Sequence, residues 1–275
     1  MLSTDDGRKT VLVHTFNEAS AGYDCRALRF FADSANTLVS LLNLRGNERL
    51  LDVATGTGHV AVAAAQRLAH GSVVGTDISP DMLSCASRKA KTAGLHNISL
   101  EPMDMESLDF PDGSFDFATC GFGIFFVDDM ESALLRIIAK VKPGGTIAIT
   151  SFCEGFLQPL SDLFAGRLKS YGVAVPPRDS QKMTAREQCE SLLRSAALTS
   201  IIVEDRDHSY FLRTAEEWWD VVQGTAFCGW LKRLPPGSRD DFRREHLKEI
   251  RALATHEGIW LPVRVHYARG RRASG

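Results

Sequence analysis

Leu50-Leu51-Asp52-Val53-Ala54-Thr55-Gly56-Thr57-Gly58-His59 decides how this 275-residue chain is read. An apolar run ends in an acid, two glycines follow one residue apart, and an alanine-rich helical pattern comes next. A strand that turns through glycines into a helix N-terminus offers bare backbone N–H groups and the positive end of a helix dipole to a ligand. A Cβ on either glycine would hold that ligand away from the backbone. The spacing predicts a nucleotide-type cofactor loop; the plainer reading is a tight βα turn with no ligand.

Two cofactors compete for the loop. Gly56-Thr57-Gly58-His59-Val60-Ala61 satisfies the G-x-G-x-x-G/A form of the dinucleotide fingerprint, and Asp77 follows about twenty residues on, where a ribose-binding acid belongs. Asp52 argues the other way. A carboxylate at the strand end faces the cofactor and would repel a pyrophosphate. It suits a cofactor with an ammonium group and no phosphate. S-adenosylmethionine, with its amino-acid tail, sulfonium and adenosine, meets that demand.

The composition is that of an ordinary globular protein, 44% apolar and 24% charged. A net charge of -2 gives no sign of a nucleic-acid surface. No apolar run is long enough to span a bilayer, and Met1 to Lys9 is polar, unlike a secretory signal. Cys25, Cys85, Cys120, Cys153, Cys189 and Cys228 are scattered, with no C-x-x-C and no clustered histidines. They read as thiols in a reducing cytoplasm, and no metal site is expected.

Strand and helix alternate from Arg49 to Ser151. Strands are predicted at 50–53, 72–76, 97–101, 115–119 and 146–151, and helices at 59–69, 79–93 and 130–141. Ser79 suits the cap of the second helix and Pro80 its first position, and Lys142-Pro143-Gly144-Gly145 reads as a stop after the third. Successive βα units imply a parallel sheet covered on both faces. One domain over 1–275 is expected: a helical N-terminal cover (1–48, with a helix over 26–44), a cofactor-binding core (49–151), and substrate-binding helices with C-terminal strands (152–275). In the last part helices are expected at 156–171, 184–196, 214–222 and 238–255, and strands at 199–204, 209–212 and 258–268. Residues 175–180 are the best candidate for a mobile loop.

In an open parallel sheet, ligands bind beyond the carboxyl ends of the strands. The residues after each strand are therefore read as one site. Asp77 is placed to accept both ribose hydroxyls, Asp104 to accept from an adenine amine, and Met105 to pack on the ring. Cys120-Gly121-Phe122-Gly123 lets the backbone pass close to the reacting centre.

With these motifs in order, the run Leu50–Ser151 resembles the core of class I S-adenosylmethionine-dependent methyltransferases. It is most similar to the branch that includes the ubiquinone/menaquinone C-methyltransferases. The resemblance rests on Leu51–Gly58, Gly75–Leu83, Phe110–Asp116, Phe122-Gly123-Ile124 and Val141–Gly145. It implies a Rossmann-like, doubly wound seven-stranded α/β sheet whose last strand, read at Gly258–Ala268, is antiparallel. It further implies a helical substrate-binding insertion and a cofactor pocket of Tyr23, Asp52, Ala54, Thr55, Gly56, Gly58, Asp77, Ile78, Met82, Asp104, Met105 and Gly121. Phe125-Phe126 stand where the quinone enzymes carry an Arg-Asn pair, so the quinone substrate itself is not carried over.

The expected function is transfer of a methyl group from S-adenosylmethionine to an apolar or aromatic small molecule, on O, N or C. Phe122, Phe125, Phe126, Phe152, Trp219 and Trp230 are the candidate acceptor-binding residues, set against a reading of each as core packing. His59, His208, His256 and His266 are weighed as bases, and none is assigned. His208 is read in an exposed hairpin turn. The alternatives are an NAD(P)-dependent oxidoreductase and a cofactor-binding regulator without turnover. A monomer and a homodimer both fit.

Overall fold

The computed structural model describes residues 4–175 and 177–274. Tertiary contacts divide the chain into two units, each assembled from separate segments: Met1–Phe30, Gly155–Pro177 and His208–Val263 in one, and Phe31–Glu154, Arg178–Asp207 and Arg264–Gly275 in the other. Elements are numbered along the chain.

The second unit is built on a seven-stranded sheet in the order β3-β2-β1-β4-β5-β9-β6. Its strands are β1 (Arg49–Val53), β2 (Ser72–Asp77), β3 (Ile98–Pro102), β4 (Phe115–Gly121), β5 (Val141–Phe152), β6 (Thr199–Asp207) and β9 (Arg264–Arg271). The first five are parallel, and β9 runs antiparallel to both β5 and β6. Leu50, Leu51 and Val53 of β1 are fully buried, as expected of a strand covered on both faces. The unit's helices are α2 (Phe30–Leu41, from Phe31), α3 (His59–Ala65), α4 (Pro80–Thr92), α5 (Met130–Lys140) and α7 (Arg186–Ser195). The order reverses at β1, whose neighbours are β2 and β4, and ligands in such sheets bind at that crevice.

Local chemistry explains the boundaries. The Ser79 hydroxyl accepts from Met82 N at 3.2 Å and opens α4, with Pro80 at its first position. Asp129 opens α5 by accepting from Ser132 N at 2.9 Å. α3 stops at Ala65, short of the expected residue 69, where Asn97 Nδ2 donates to the carbonyls of Ala65 and Leu68. β5 begins at Val141, not at Thr146: Gly144 N donates to Arg272 O and Arg272 N to Gly145 O, so the Pro-Gly-Gly stretch is paired. The Arg272 guanidinium also caps the end of α5 through the Ile138, Ala139 and Val141 carbonyls.

The single strand expected at 258–268 is two strands in different sheets, β8 (Ile259–Leu261) and β9. Pro262, which has no N–H to give a ladder, lies in the break. The helix expected at 26–44 is likewise divided into a 3-10 turn (Arg26–Leu28) and α2. Of the loop expected at 175–180, Pro176 lies outside the described residues, and Asp179–Gln181 form a 3-10 turn.

The first unit holds α1 (Thr4–Ala19), α6 (Leu160–Ser170), α8 (Ala215–Gln223), α9 (Cys228–Leu231) and α10 (Arg239–Arg251), with a two-stranded sheet of β7 (Tyr210–Leu212) and β8. Its core is aromatic. Phe164 meets Phe227, Phe242 and His246 with ring centroids 5.4 to 5.7 Å apart. Trp218 Nε1 donates to His246 Nε2 at 2.8 Å, and burial pushes the His246 imidazole down to about 4, so it is neutral at pH 7. Among the described residues no helix is long and apolar enough to cross a membrane.

Gly58 supplies a sharp test of the loop. Its φ of +83° is in the left-handed region, and a Cβ there would lie 2.8 Å from Ala86 Cβ on α4. Gly58→Ala is expected to lower stability by roughly 1–3 kcal/mol, read from urea unfolding. A variant as stable as the parent would contradict this packing of α3 against α4.

Candidate functional site

The carboxyl ends of β1, β2, β3 and β4 converge on the glycine loop. Thr55 N donates to Thr76 O at 2.9 Å, which turns the chain from β1 over β2. Asp77, the last residue of β2, fixes the loop from beneath: Oδ2 accepts from Gly56 N at 2.8 Å and Oδ1 from Ser79 N at 2.9 Å. Its backbone carbonyl accepts from Met103 N at 3.0 Å, drawing in the segment that carries Asp104 and Met105. Asp104 Oδ1 accepts from Glu106 N at 2.9 Å, which holds that loop turned. A Cβ on Gly123 would lie 2.7 Å from Ala54 Cβ, 2.8 Å from Cys120 Sγ and 3.7 Å from Met105 Cε, so the ends of β1, β3 and β4 close on one point.

Two carboxylates are buried here. Asp52 is 1% exposed; its Oδ2 accepts from the Thr55 hydroxyl at 2.6 Å and its Oδ1 from the Thr119 hydroxyl at 2.7 Å. Burial pushes its carboxyl up to about 6, against the opposing pull of the two threonine bonds. Asp77 is also raised by burial, against the backbone N–H groups of Ser79, Gly56 and Ile78. A carboxylate offers about four lone-pair sites, so Asp77 keeps acceptor capacity beyond these N–H groups. A Cβ on Gly56 would meet nothing within 4 Å, so the loop's outer side is open. Open backbone, a carboxylate with spare acceptor capacity and buried negative charge together fit S-adenosylmethionine, and they suit a pyrophosphate poorly.

The sequence-predicted residues fall into layers. Ala54, Gly56, Ile78, Asp104, Met105, Gly121 and Phe122 are half-buried and face outward in part, whereas Asp52, Thr55, Gly58 and Met82 are buried behind them. Asp52 meets the loop through Thr55, whose hydroxyl donates to it. Tyr23 belongs to the helical unit, in the turn after α1. Trp219 and Trp230 are also in that unit. Trp219 is buried against Phe242, and Trp230 stacks on Phe164 with centroids 6.4 Å apart.

The phenylalanines of the sheet unit cluster beside the loop. Phe122, at a φ of +55°, stacks on Phe152 at 4.3 Å and meets Phe31 edge-on at 5.6 Å. Its N–H donates to Thr150, which holds the strained residue in place. Phe126 is half-buried, but Phe125 is 1% exposed and Phe152 is buried as well. The Phe125 and Phe152 rings also pack on each other, with centroids 6.2 Å apart.

The histidines divide similarly. Lys89 Nζ lies 3.2 Å from His59 Nδ1 and 3.2 Å from Thr57 Oγ1, so α4 already engages His59. His256 is exposed. His208 is half-buried, with its N–H on Val263 O, and lies between β6 and β7, which do not pair; the expected hairpin is absent there. His266 is buried against Asp205. Sequence reasoning missed Thr119, because only the β1–β4 register, with Asp52 opposite Thr119, shows the pair.

Comparison with known proteins agrees with this geometry. Residues 50–145 match a family described as a methyltransferase domain. The chain is 30% identical over 182 residues to the ubiquinone/menaquinone biosynthesis C-methyltransferase UbiE of Proteus mirabilis, covering 64% of this chain and 71% of that protein. It is 35% identical over 148 residues to aklanonic acid methyltransferase DauC of Streptomyces sp. (strain C5), covering 54% and 67%. Another relative, a demethylmenaquinone methyltransferase, is spanned over 64% of its length. Among solved structures the fold is similar to that of the YcgJ protein from Bacillus subtilis, with a TM-score of 0.60 and 20% identity, over 88% of this chain and 99% of that one. The chain belongs to the class I S-adenosylmethionine-dependent methyltransferases, in the branch related to the UbiE enzymes. Its cofactor is S-adenosylmethionine, and the nicotinamide reading of the loop is set aside.

Proposed function

We propose that the protein transfers a methyl group from S-adenosylmethionine to a small apolar or aromatic acceptor. The observation that carries this reading is Phe122. It is half-buried, stacked on Phe152, and adjacent in sequence to Gly123, which touches the cofactor loop at Ala54. An aromatic surface at that point suits a flat apolar ring. The relatives named for ubiquinone/menaquinone and for aklanonic acid support the same class of acceptor.

When bound, S-adenosylmethionine supplies an electrophilic methyl group. The chain's residues then have to hold, align and keep dry. Asp77 would hold the ribose hydroxyls and Asp104 the adenine amine, with Met105 against the ring. Backbone at Gly56 would approach the amino-acid end, above the negative charge of Asp52. Phe122 and Phe126 would bound the acceptor and exclude water. Six cysteines, none of them in a disulfide among the described residues, fit a cytoplasmic setting.

Release of S-adenosylhomocysteine from a library of quinones, phenols and aromatic acids tests the reading. Phe122→Ala is expected to lower kcat/KM for the acceptor about tenfold or more, with cofactor affinity within about twofold. Weaker cofactor binding with unchanged acceptor kinetics would move Phe122 out of the acceptor site. Phe125→Ala is a poorer probe, since it would empty part of the core.

A further inference from the structure

On the face of the sheet that α7 covers, three donor atoms from distant segments meet. Cys153 follows the end of β5, Asp205 is on β6 and His266 on β9, and Asp205 and His266 are register partners. Cys153 Sγ is 3.5 Å from His266 Nδ1, and Asp205 Oδ1 is 2.7 Å from the same nitrogen. All three donor atoms lie within 4.8 Å of one another. Cys153 is 5% exposed and His266 4%, whereas Asp205 reaches solvent.

The hydrogen bonds settle what these atoms present. His266 Nε2 is 2.9 Å from the Thr184 carbonyl, which only accepts, so Nε2 carries a proton. The other ring nitrogen then faces a carboxylate and a thiol together. A nucleophilic relay would place its cysteine and its acid on opposite ring nitrogens; here both lie at Nδ1. That is the arrangement of a ligand tripod, with the outer ring N–H tied to a backbone carbonyl as metal-bound histidines usually are.

We propose that Cys153, Asp205 and His266 form a binding site for a divalent transition cation of the zinc type, with a fourth position open to water. Zinc–sulfur and zinc–nitrogen bonds of about 2.3 and 2.0 Å at a tetrahedral angle separate S and N by about 3.5 Å. The observed spacing already matches. Asp205 has to draw back by about half an ångström from Nδ1, and it is the exposed member of the trio. The ion replaces the thiol proton and the proton shared by Nδ1 and Asp205, both of which pass to solvent. Arg186 at 3.3 Å and Arg264 at 3.7 Å also hold Asp205, and they would keep its second lone pairs occupied. The ion would fasten β5, β9 and β6 to each other. This site does not depend on the methyl-transfer reading.

Titration of the metal-free full chain with Co²⁺ tests the proposal directly. One equivalent is expected to bind at micromolar concentration, with a thiolate-to-cobalt absorption in the near ultraviolet that Zn²⁺ abolishes by competition. Cys153→Ser, which preserves size, is expected to remove that absorption and to weaken binding about tenfold or more. His266→Asn should weaken it similarly, and Cys189→Ser should leave it intact. Circular dichroism confirms folding of each variant, and Zn²⁺ should raise the melting temperature of the parent and of Cys189→Ser but not of Cys153→Ser or His266→Asn. Absence of saturable Co²⁺ binding overturns the proposal, as does an absorption that survives Cys153→Ser.

Discussion

Asp77→Ala is expected to weaken S-adenosylhomocysteine binding by two orders of magnitude or more in calorimetry. Hydrogen bonds to a charged acceptor are each worth about 1.5–3 kcal/mol, and two ribose hydroxyls would be lost at once, on the order of 3–6 kcal/mol. The substitution also frees Gly56 N–H and Ser79 N–H, which Asp77 now holds at 2.8 and 2.9 Å. The loop that offers its backbone to the cofactor would lose its anchor on β2. Asp77→Asn should fall between the two, because its amide presents one acceptor and one donor where two acceptors stand. Unchanged affinity in Asp77→Ala would remove this residue from the site.

Asp52→Asn is expected to stabilise the cofactor-free protein at pH 8 and to lose that advantage at pH 4. The folded carboxyl is pushed up to about 6 from an ordinary 3.8. Between those values the folded state keeps a proton that the unfolded chain has released, so stability falls as pH rises through this window. Above it the full penalty persists, on the order of 3 kcal/mol. Asparagine carries no charge and escapes it, and the Thr55 and Thr119 hydroxyls can turn to accept from the amide. Melting curves at the two pH values decide the matter; a variant no more stable than the parent at pH 8 would refute it. The same substitution should weaken cofactor binding, since the buried negative charge beneath the loop is lost. The parent would then keep a destabilising carboxylate because the cofactor's cationic end requires it.

How much of this was legible in advance differs by element. β1, the glycine turn and the start of α3 were readable because each depends on neighbours within a few residues: apolar runs, left-handed glycines, a helix N-terminus. Ser79-Pro80 marked α4 for the same reason. The strand β9 was placed but wrongly joined to β8, because alternation continues on both sides of Pro262 while the pairing partners change. The start of β5 is not legible locally, since Pro143-Gly144-Gly145 reads as a stop and is paired by Arg272, far away in the chain.

The site divides along the same line. Sequence alone determined the cofactor, because Asp52, Gly56, Gly58 and Asp77 lie in one βαβ unit at a fixed spacing. Tertiary structure alone decided what those residues do: Asp52 is sealed by Thr119, a residue 67 positions away, and Asp77 grips the loop as well as facing it. It decided that Phe122 is partly open while Phe125 is core. It also brought Cys153, Asp205 and His266 to one point, although their spacing carries no motif. Local pattern is set by backbone geometry over a few residues, whereas burial and side-chain convergence depend on strand register between segments far apart in the chain.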